Sequence, residues 1–163
     1  MGSENKIKLD QKDKQILEFI SQKARKSVAE ISRKTGIQRD SVIYRIKRME
    51  SSGVIRFFHT VIDPVVLGYP VYTFVNITLH NFNNQDEKSF RGYLKEHSNV
   101  VYVAKTTGKW DYTIAIAARD LADFDEVMWN IRKKYSKIIK EYDSASIIKE
   151  HKYDYMVDLV CKK

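Results

Sequence analysis

The first third of the chain carries apolar residues at a helical spacing. This spacing predicts a helix over residues 10–23, with Asp10 as its N-cap and with Ile16, Leu17 and Ile20 on its apolar side. Two shorter segments of the same kind follow it directly. We therefore expect a compact core of three helices.

Residues 27–55 predict two short helices joined by a glycine turn. Ser27 and Glu30 have the spacing of a capping box, and Gly36 can adopt the positive φ that ends the first helix. The second helix, over residues 38–52, has an apolar stripe formed by Val42, Ile46 and Met49. Its remaining faces carry mostly basic residues. This is the helix-turn-helix arrangement, in which the second helix enters the major groove of DNA.

The next stretch favours extended structure and then a break. Residues 54–62 are rich in β-branched and aromatic side chains, which predicts the β-ribbon of a winged helix. Both prolines of the chain, Pro64 and Pro70, predict a linker over residues 63–70. Residues 65–67 are apolar, so we expect the linker to pack on one of the domains.

From residue 71 onward the apolar residues alternate with polar ones. Strands are predicted over residues 71–80, 100–106, 111–118 and 144–149, with one helix around residues 90–97 and another over residues 120–135. The order βαββαβ is that of the ferredoxin-like fold, so the fold class is α+β. With both helices on one sheet face, the other face keeps Tyr72 and Phe74, and a second copy of the chain is the expected cover.

The positive charge of the chain is concentrated in its first third. The formal net charge is +8, and residues 23–56 hold ten Lys or Arg and only three acids. Clustering of this kind indicates a polyanionic partner, although the same cations could simply form a solvated face of a helical hairpin.

Other chemistry is poorly represented. The lone Cys161 cannot form an internal disulfide, and Cys/His spacings of zinc sites are missing. The four histidines are scattered, and no nucleophile elbow or phosphate-binding glycine loop is present. We therefore expect no enzyme, no metal and no required cofactor. Without a signal peptide or a membrane-spanning stretch, a cytoplasmic, nucleoid-associated protein is expected.

Five local motifs occur in order along the chain. They are Leu9-Asp10 with Lys14, Ile16 and Leu17; residues 27–31 (SVAEI); Val42-x-x-Arg45-Ile46-x-Arg48-Met49-Glu50-x-x-Gly53-Val54-Ile55; Ile62-Asp63-Pro64 with Leu67-Gly68; and Thr107-Gly108-x-x-Asp111-Tyr112. With these motifs the chain resembles the Lrp/AsnC family of transcription regulators over about residues 9–149.

The resemblance implies a winged helix-turn-helix followed by a RAM domain, named for the regulation of amino-acid metabolism. We assign residues 9–62 to the first domain, residues 63–70 to a linker and residues 71–150 to the second domain. Residues 151–163 form an extension past the usual family end, expected to dock on a neighbouring molecule. Family members dimerise through the RAM domain and often assemble further, up to octamers. Many bind an amino acid between these domains.

Base contacts are expected where the second motif helix begins, at Gln38, Arg39, Asp40 and Tyr44. The Arg39 guanidinium suits bidentate contact to guanine, and the Gln38 amide suits adenine. Asp40 repels phosphate, so it would cap the helix or select against a base. The family usually has Ser or Thr where Gln38 stands, which predicts a weaker N-cap.

Phosphate contacts are expected from cations farther along and from the previous helix start, at Lys26, Ser27, Lys47, Arg48 and Arg56. Arg45 matches a family arginine, and we include it among the DNA-binding residues. Its alternative role is a structural salt bridge with Glu50 or with the first helix. The alternative for Arg56 is that of an exposed hairpin residue.

An effector site is implied at the turn of the second domain. The matching positions are Gly108, Lys109, Trp110, Asp111 and Tyr112, with Ser144 and Ser146 in place of a family threonine. Glycine lets a ligand approach the backbone, and a carboxylate can hold an ammonium group. The alternative is a β-turn glycine with an aspartate that caps the turn.

The function indicated is a homodimeric, sequence-specific DNA-binding regulator that reads a palindromic operator in double-stranded DNA. A stand-alone amino-acid sensor would not need the basic cluster. A protein that coats DNA without sequence preference is a further alternative. An RNA-binding winged helix would expose stacking aromatic residues on a sheet, whereas the aromatic residues here are expected in cores or dimer contacts.

Overall fold

The computed structural model describes residues 7–22, 24–153 and 156–161. The described elements are α1 (Gln11–Gln22), α2 (Val28–Thr35), α3 (Arg39–Ser51), β1 (Val71–Leu79), α4 (Asn84–Glu96), β2 (Val100–Lys105), β3 (Tyr112–Ala118), α5 (Leu121–Lys134), β4 (Ile139–Ser146) and α6 (Asp158–Cys161). They fall into two compact units. The first unit comprises the residues up to Val61 and those from His151 onward, and the second unit comprises Ile62–Glu150.

The first unit is built on the predicted three-helix core. Its buried apolar residues come from all three helices and from the turns that follow them: Ile16, Ile20, Ile31, Ile37, Val42, Met49 and Ile55. The spacing of these residues explains the packing, since each helix turns its apolar stripe toward the other two. Position 23, where we expected the first helix to end, lies outside the described residues.

The helix ends follow from short polar side chains. The Ser27 hydroxyl accepts a hydrogen bond from the Glu30 amide at 3.2 Å, and the Glu30 carboxylate accepts one from the Ser27 amide at 3.1 Å. This confirms the predicted capping box. Gly36 ends α2 with φ +71°, a conformation in which a Cβ would be strained. Asp10 caps α1, because its carboxylate accepts the Asp13 amide at 2.9 Å.

Two expectations for the junctions are wrong. Residues 54–62 form no strand, because a strand needs a hydrogen-bonded neighbour and no described segment pairs with them. The apolar linker residues do not pack: Val66 is 81 % exposed, with Val65 and Leu67 also exposed. Within the chain, α6 packs on α1, where the Cys161 thiol lies 3.4 Å from the Lys14 carbonyl oxygen. Residues 154–155 and 162–163 of the extension lie outside the described residues.

The second unit has the predicted βαββαβ order. Its four antiparallel strands lie in the order β2-β3-β1-β4, the arrangement of a ferredoxin-like sheet. In β1 buried and partly exposed residues alternate as predicted. Val75, Ile77 and Leu79 are buried on the face that the two helices cover. The opposite face carries a chain of edge-to-face rings, Tyr72 to Phe74 at 6.0 Å and Phe74 to Tyr102 at 6.4 Å.

The last strand begins earlier than predicted. It runs from Ile139 to Ser146 beside β1, with Thr73 opposite Ser146 and Leu79 opposite Ile139. As an edge strand it exposes Lys140, Glu141 and Asp143, so its sequence lacks a regular apolar alternation. The predicted strand lay too close to the C-terminus because the prediction relied on the apolar pair Ile147 and Ile148.

Candidate nucleic-acid interface and ligand-binding turn

The start of α3 presents polar side chains to solvent. Gln38 occupies the N-cap position but forms no side-chain cap hydrogen bond, so the predicted weak cap is observed. Gln38, Arg39 and Asp40 are exposed, and Tyr44, one turn farther along, is 65 % exposed. Within the part of the chain that the structure describes, Asp40 makes no capping hydrogen bond. Four of the proposed base-contacting residues are therefore available on one helix end.

Two arginines of α3 turn the other way, toward α1. The Arg45 guanidinium lies 2.7 Å from a carboxylate oxygen of Asp13 and 2.7 Å from one of Asp10. Arg48 forms a further ion pair with Asp13, whose side chain is fully buried. The amide of Asp13 and the guanidinium of Arg45 lower the pKa of Asp10 to about 2. These ion pairs fix the rotation of α3 about its axis.

The ion pairs with Asp10 and Asp13 weaken the expectation that Arg45 and Arg48 contact DNA. The structural role that we gave as the alternative for Arg45 is the one observed, with the first helix rather than Glu50 as its partner. Arg48 keeps a side chain that is 36 % exposed, but its terminal nitrogen is committed to Asp13. Because these guanidinium groups already bind carboxylates, they are poorer candidates for phosphate than an unpaired cation.

The remaining expected phosphate contacts fall into two groups. Lys26 and Ser27 serve the cap of α2: the Lys26 ammonium lies 2.7 Å from the Glu30 carboxylate, whose pKa this hydrogen bond lowers to about 2. Lys47 is exposed on α3, and Arg56 is exposed with its guanidinium 5.6 Å from the centre of the Phe57 ring. The freely exposed cations of this set are Lys47 and Arg56.

The turn between β2 and β3 is closed by its own hydrogen bonds. Gly108 adopts φ +102°, and no atom lies within 4 Å of where its Cβ would be, so the turn needs glycine for its conformation and leaves open space beside it. The Thr106 hydroxyl donates to the Trp110 carbonyl at 2.6 Å. The Lys109 ammonium sits 4.3 Å from the centre of the Trp110 ring, a cation–π contact.

Asp111 and Tyr112 are tied into the fold. The Asp111 carboxylate accepts the Leu79 amide at 2.7 Å, and its own amide donates to the Ile77 carbonyl at 2.9 Å. Tyr112 is fully buried and donates its hydroxyl to Glu87 at 2.8 Å. One oxygen of Asp111 thus has a structural role, but it joins the turn to β1 and does not cap the turn itself.

The two serines of β4 differ in their surroundings. Ser144 is exposed and lies opposite Val75 in the sheet. The Ser146 hydroxyl lies 2.8 Å from the hydroxyl of buried Thr73. The turn residues and these serines therefore lie on different strands: the turn joins β2 to β3, while the serines lie on β4, on the other side of β1.

Sequence reasoning overlooked two clusters of charge. Asp13 shares the apolar stripe of α1 with Ile16 and Ile20, and an acid in such a stripe signals a buried ion pair. Glu87 on α4 accepts hydrogen bonds from Lys105 of β2 and from Tyr112. The spacing of Glu87, Arg91 and Lys95 was visible in the sequence, but the position of the predicted strand β2 beside them was not.

Two features are absent from the described ranges. No helix among them combines the length and apolar character needed to cross a membrane. They also contain no group of three or more His, Cys, Asp or Glu side chains arranged to hold a metal ion.

Two family models match the chain. A winged helix-turn-helix DNA-binding model matches residues 9–56, and the Lrp/AsnC ligand binding domain matches residues 72–161. The second match extends into residues 151–161, which we had placed beyond the family's end. With the strand order above, these matches confirm the predicted α+β fold class.

Related proteins agree with these models. An uncharacterised HTH-type transcriptional regulator of Pyrococcus furiosus is 31% identical over 88% of this chain and 92% of its own length. An AsnC family transcriptional regulator from Agrobacterium tumefaciens, 28% identical, superposes with a TM-score of 0.79 over 89% of this chain and 94% of that one. A transcriptional regulator from Neisseria meningitidis, solved as an L-Met complex, has a TM-score of 0.81, covering 90% of this chain and 94% of that one. At 18% identity, this last structure supports the fold alone.

Proposed function

Because the chain belongs to the Lrp/AsnC family of transcription regulators, we propose that it binds a palindromic operator as a homodimer under the control of an amino acid. The observation that carries the proposal is that different parts of α3 have different roles. Arg45 and Arg48 hold the helix against α1, which leaves Gln38, Arg39 and Tyr44 free at its exposed start. An exposed, rigidly oriented helix start is what base readout in the major groove requires.

The proposed contacts separate into two kinds. Arg39 and Gln38, with Tyr44 and Asp40 beside them, would contact base edges, where a guanidinium favours guanine and an amide favours adenine. Lys47 and Arg56 would contact phosphates, which position the protein without reading sequence. Lys26 and Ser27 would contribute through the α2 start, and Arg45 and Arg48 would act mainly by orienting α3.

The experiment selects bound sequences from a random DNA library at near-physiological salt and then compares two variants on the selected site. Arg39→Ala should relax base preference at one position and cost about 1–3 kcal/mol of binding free energy. Lys47→Ala should weaken all sequences alike and make the binding less sensitive to salt. Recovery of a palindrome supports a dimer on two half-sites. Equal, sequence-independent losses for both variants would refute the assignment of base and phosphate contacts.

The open sheet face supports a homodimer built through the second unit. Its edge-to-face rings of Phe74 and Tyr102 form an apolar surface, with Tyr102 50 % exposed. A second copy with the same surface would cover it by two-fold symmetry. Phe74→Glu should convert the dimer to a monomer in analytical ultracentrifugation, and Trp129→Glu on α5 is a matched control. The same measurement reads whether dimers assemble further, up to the octamer that the resemblance implies.

An amino-acid effector is proposed at the turn formed by residues 107–112, with Ser144 and Ser146 as further candidates. Open space beside Gly108 and the partly exposed Asp111 carboxylate support it, as does the L-Met bound by the Neisseria regulator. Titrating the twenty amino acids against operator binding tests it. Asp111→Asn should abolish the response of any amino acid that shifts the operator affinity, while Asp143→Asn is the control. If no amino acid shifts the affinity, the effector proposal fails while the operator proposal stands.

We assign residues 9–62 to the DNA-binding domain, residues 63–70 to the linker, residues 71–150 to the effector domain and residues 151–163 to the extension. We infer a non-enzymatic regulator that works in the cytoplasm on the nucleoid. Fluorescence microscopy of a tagged chain with stained DNA tests the location, since a nucleoid protein must co-localise with the stain.

A further inference from the structure

A cavity of about 330 Å³ lies between helix α4 and the edge strand β2 of the second unit. Its apolar wall is formed by residues 100–103 of β2, which include three valines and Tyr102. Three cations line it as well: Arg91 and Lys95, one turn apart on α4, and Lys105 on β2. The volume is at the small end for ligand pockets in proteins, so it suits a small molecule.

The charges around this cavity do not balance. Glu87 is the carboxylate that the cations face, and it already accepts hydrogen bonds from Lys105 and from the hydroxyl of Tyr112. These bonds, led by that from Lys105, lower the pKa of Glu87 and keep it ionised. Arg91 also interacts with this Glu87 carboxylate and with the Tyr112 hydroxyl, so one carboxylate serves two cations. Among the described residues, Lys95 forms no ion pair. Two cations on one helix face therefore lack a carboxylate of their own.

The edge position of β2 adds hydrogen-bond donors. In the described sheet β2 pairs with β3 on one side, and its other side has no strand. Backbone N–H groups on such an edge can donate to a ligand, as in other sites at sheet edges. The cavity thus combines cationic side chains, an apolar wall and free backbone donors.

We propose that this cavity is a binding site for a small organic anion, a carboxylate that carries a short apolar chain. Arg91 and Lys95 hold the carboxylate with charge-assisted hydrogen bonds, and the valines of β2 contact the apolar chain. The site shares Tyr112 with the proposed effector turn of residues 107–112, but its cations and valines lie outside that turn, and it does not depend on that proposal.

The site selects against ammonium groups. An α-amino group would have to approach the cations of Arg91 and Lys95, or displace Lys105 from Glu87. Either step costs electrostatic energy, because three cations face one carboxylate in this cavity and like charges repel. A simple carboxylate is therefore expected to bind better than the amino acid of the same chain length.

Isothermal titration calorimetry on the full chain tests the proposal with 4-methylpentanoate as the probe. Its amide, 4-methylpentanamide, has the same shape without the charge, and leucine adds the ammonium group. We expect binding of the carboxylate and at least about tenfold weaker binding of the other two. The proposal is overturned if no heat is measured for the carboxylate, or if the amide binds equally well.

Variants locate the site. The double variant Arg91→Ala/Lys95→Ala should weaken binding of 4-methylpentanoate by about tenfold or more, because charge-assisted hydrogen bonds are lost. Lys88→Ala removes an exposed cation from the same helix outside the cavity and should leave the affinity unchanged. Circular dichroism of each variant checks its folding. Should the double variant fail to fold, Val103→Glu places a negative charge on the apolar wall and must also prevent binding. Unchanged affinity in the folded variants would place the ligand elsewhere.

Discussion

The two compact units differ in what their interiors contain. The first unit packs seven buried apolar residues around three helices and also buries the carboxylate of Asp13, which Arg45 and Arg48 neutralise. The second unit has thirteen buried residues in its main core, and its enclosed side-chain hydroxyls among the described residues are those of Thr73 and Tyr112. One unit is thus held partly by charge, and the other almost entirely by packing.

This difference in interior composition matches what each unit requires, a fixed helix orientation in the first unit and stability in the second. Ion pairs contribute little net stability because both partners lose water, but they fix one orientation, since a wrongly rotated helix would leave Asp13 unpaired. Orientation is what the small first unit needs if α3 is to present Arg39 in a defined direction. The larger apolar core of the second unit instead supplies a stable scaffold for its open sheet face and its turn.

The largest expected effect tests the packed core. Phe90 is fully buried and contacts two rings edge to face, Tyr112 at 5.6 Å and Tyr135 at 5.0 Å between ring centres. Phe90→Ala should lower the free energy of unfolding of the second unit by about 4 kcal/mol, because it removes apolar contacts and leaves a cavity. Urea denaturation followed by circular dichroism measures the change. A loss below about 1 kcal/mol would mean that packing does not dominate this unit.

The next effect tests the buried charge. Asp13→Asn should lower the free energy of unfolding of the first unit by about 3 kcal/mol, because Arg45 and Arg48 lose their shared carboxylate. The same urea denaturation measures it. Asp10→Asn, at a half-exposed carboxylate that pairs with Arg45 alone, is the matched control and should cost less. Equal losses in the two variants would contradict the special role of the buried carboxylate.

A smaller effect should be the same in both units. Ser27→Ala removes the hydroxyl of the α2 capping box, and Asn83→Ala removes the corresponding side chain of α4, whose Asn83 oxygen accepts the Asp86 amide at 2.9 Å. Each should cost about 1 kcal/mol, since a cap is a local interaction that does not depend on the core behind it. Thermal unfolding of both variants checks this. Markedly different costs would show that the caps are coupled to the interiors.

The smallest expected effect is on how the stability of the first unit depends on pH in acid. The pKa of Glu30 is lowered to about 2 from its ordinary value of 4.5, by the ammonium of Lys26 first and then by the Ser27 amide. A carboxyl group with a lowered pKa stabilises the fold above its unfolded value, and that stabilisation is lost as the pH falls from about 4.5 to about 2. Glu30→Gln should flatten this part of the pH dependence. An unchanged acid profile would mean that the ion pair is fully screened by solvent.

Local signals in the sequence were sufficient for most of the fold. Ser27 and Asp10 were recognised as caps because a cap is a local feature of the sequence, and both accept the amide three residues on, Asp10 that of Asp13 at 2.9 Å. The alternation of β1 was clear because one of its faces is fully buried. The edge strand β4 was misplaced because charged residues interrupt its pattern. The strand expected over residues 54–62 failed because residue type alone cannot supply a pairing partner.

The site was less predictable because its contacts join distant positions. The pair of Arg45 and Asp13 spans 32 residues, and that of Lys105 and Glu87 spans 18. Neither leaves a local pattern, so Arg45 could be assigned to DNA or to α1 with equal reason. The exposed start of α3 was predictable, since the spacing of Val42 and Met49 fixes which side of the helix faces outward.

The cation–π contact of Lys109 with Trp110 should affect the fluorescence of this tryptophan. Indole emission responds to nearby charge, so displacement of the Lys109 ammonium from its position 4.3 Å above the ring should shift the emission of the turn. Both tryptophans of the chain, Trp110 and Trp129, belong to the second unit. Their fluorescence therefore reports ligand arrival and melting in that unit alone, while α3, which contains no tryptophan, contributes nothing to this signal.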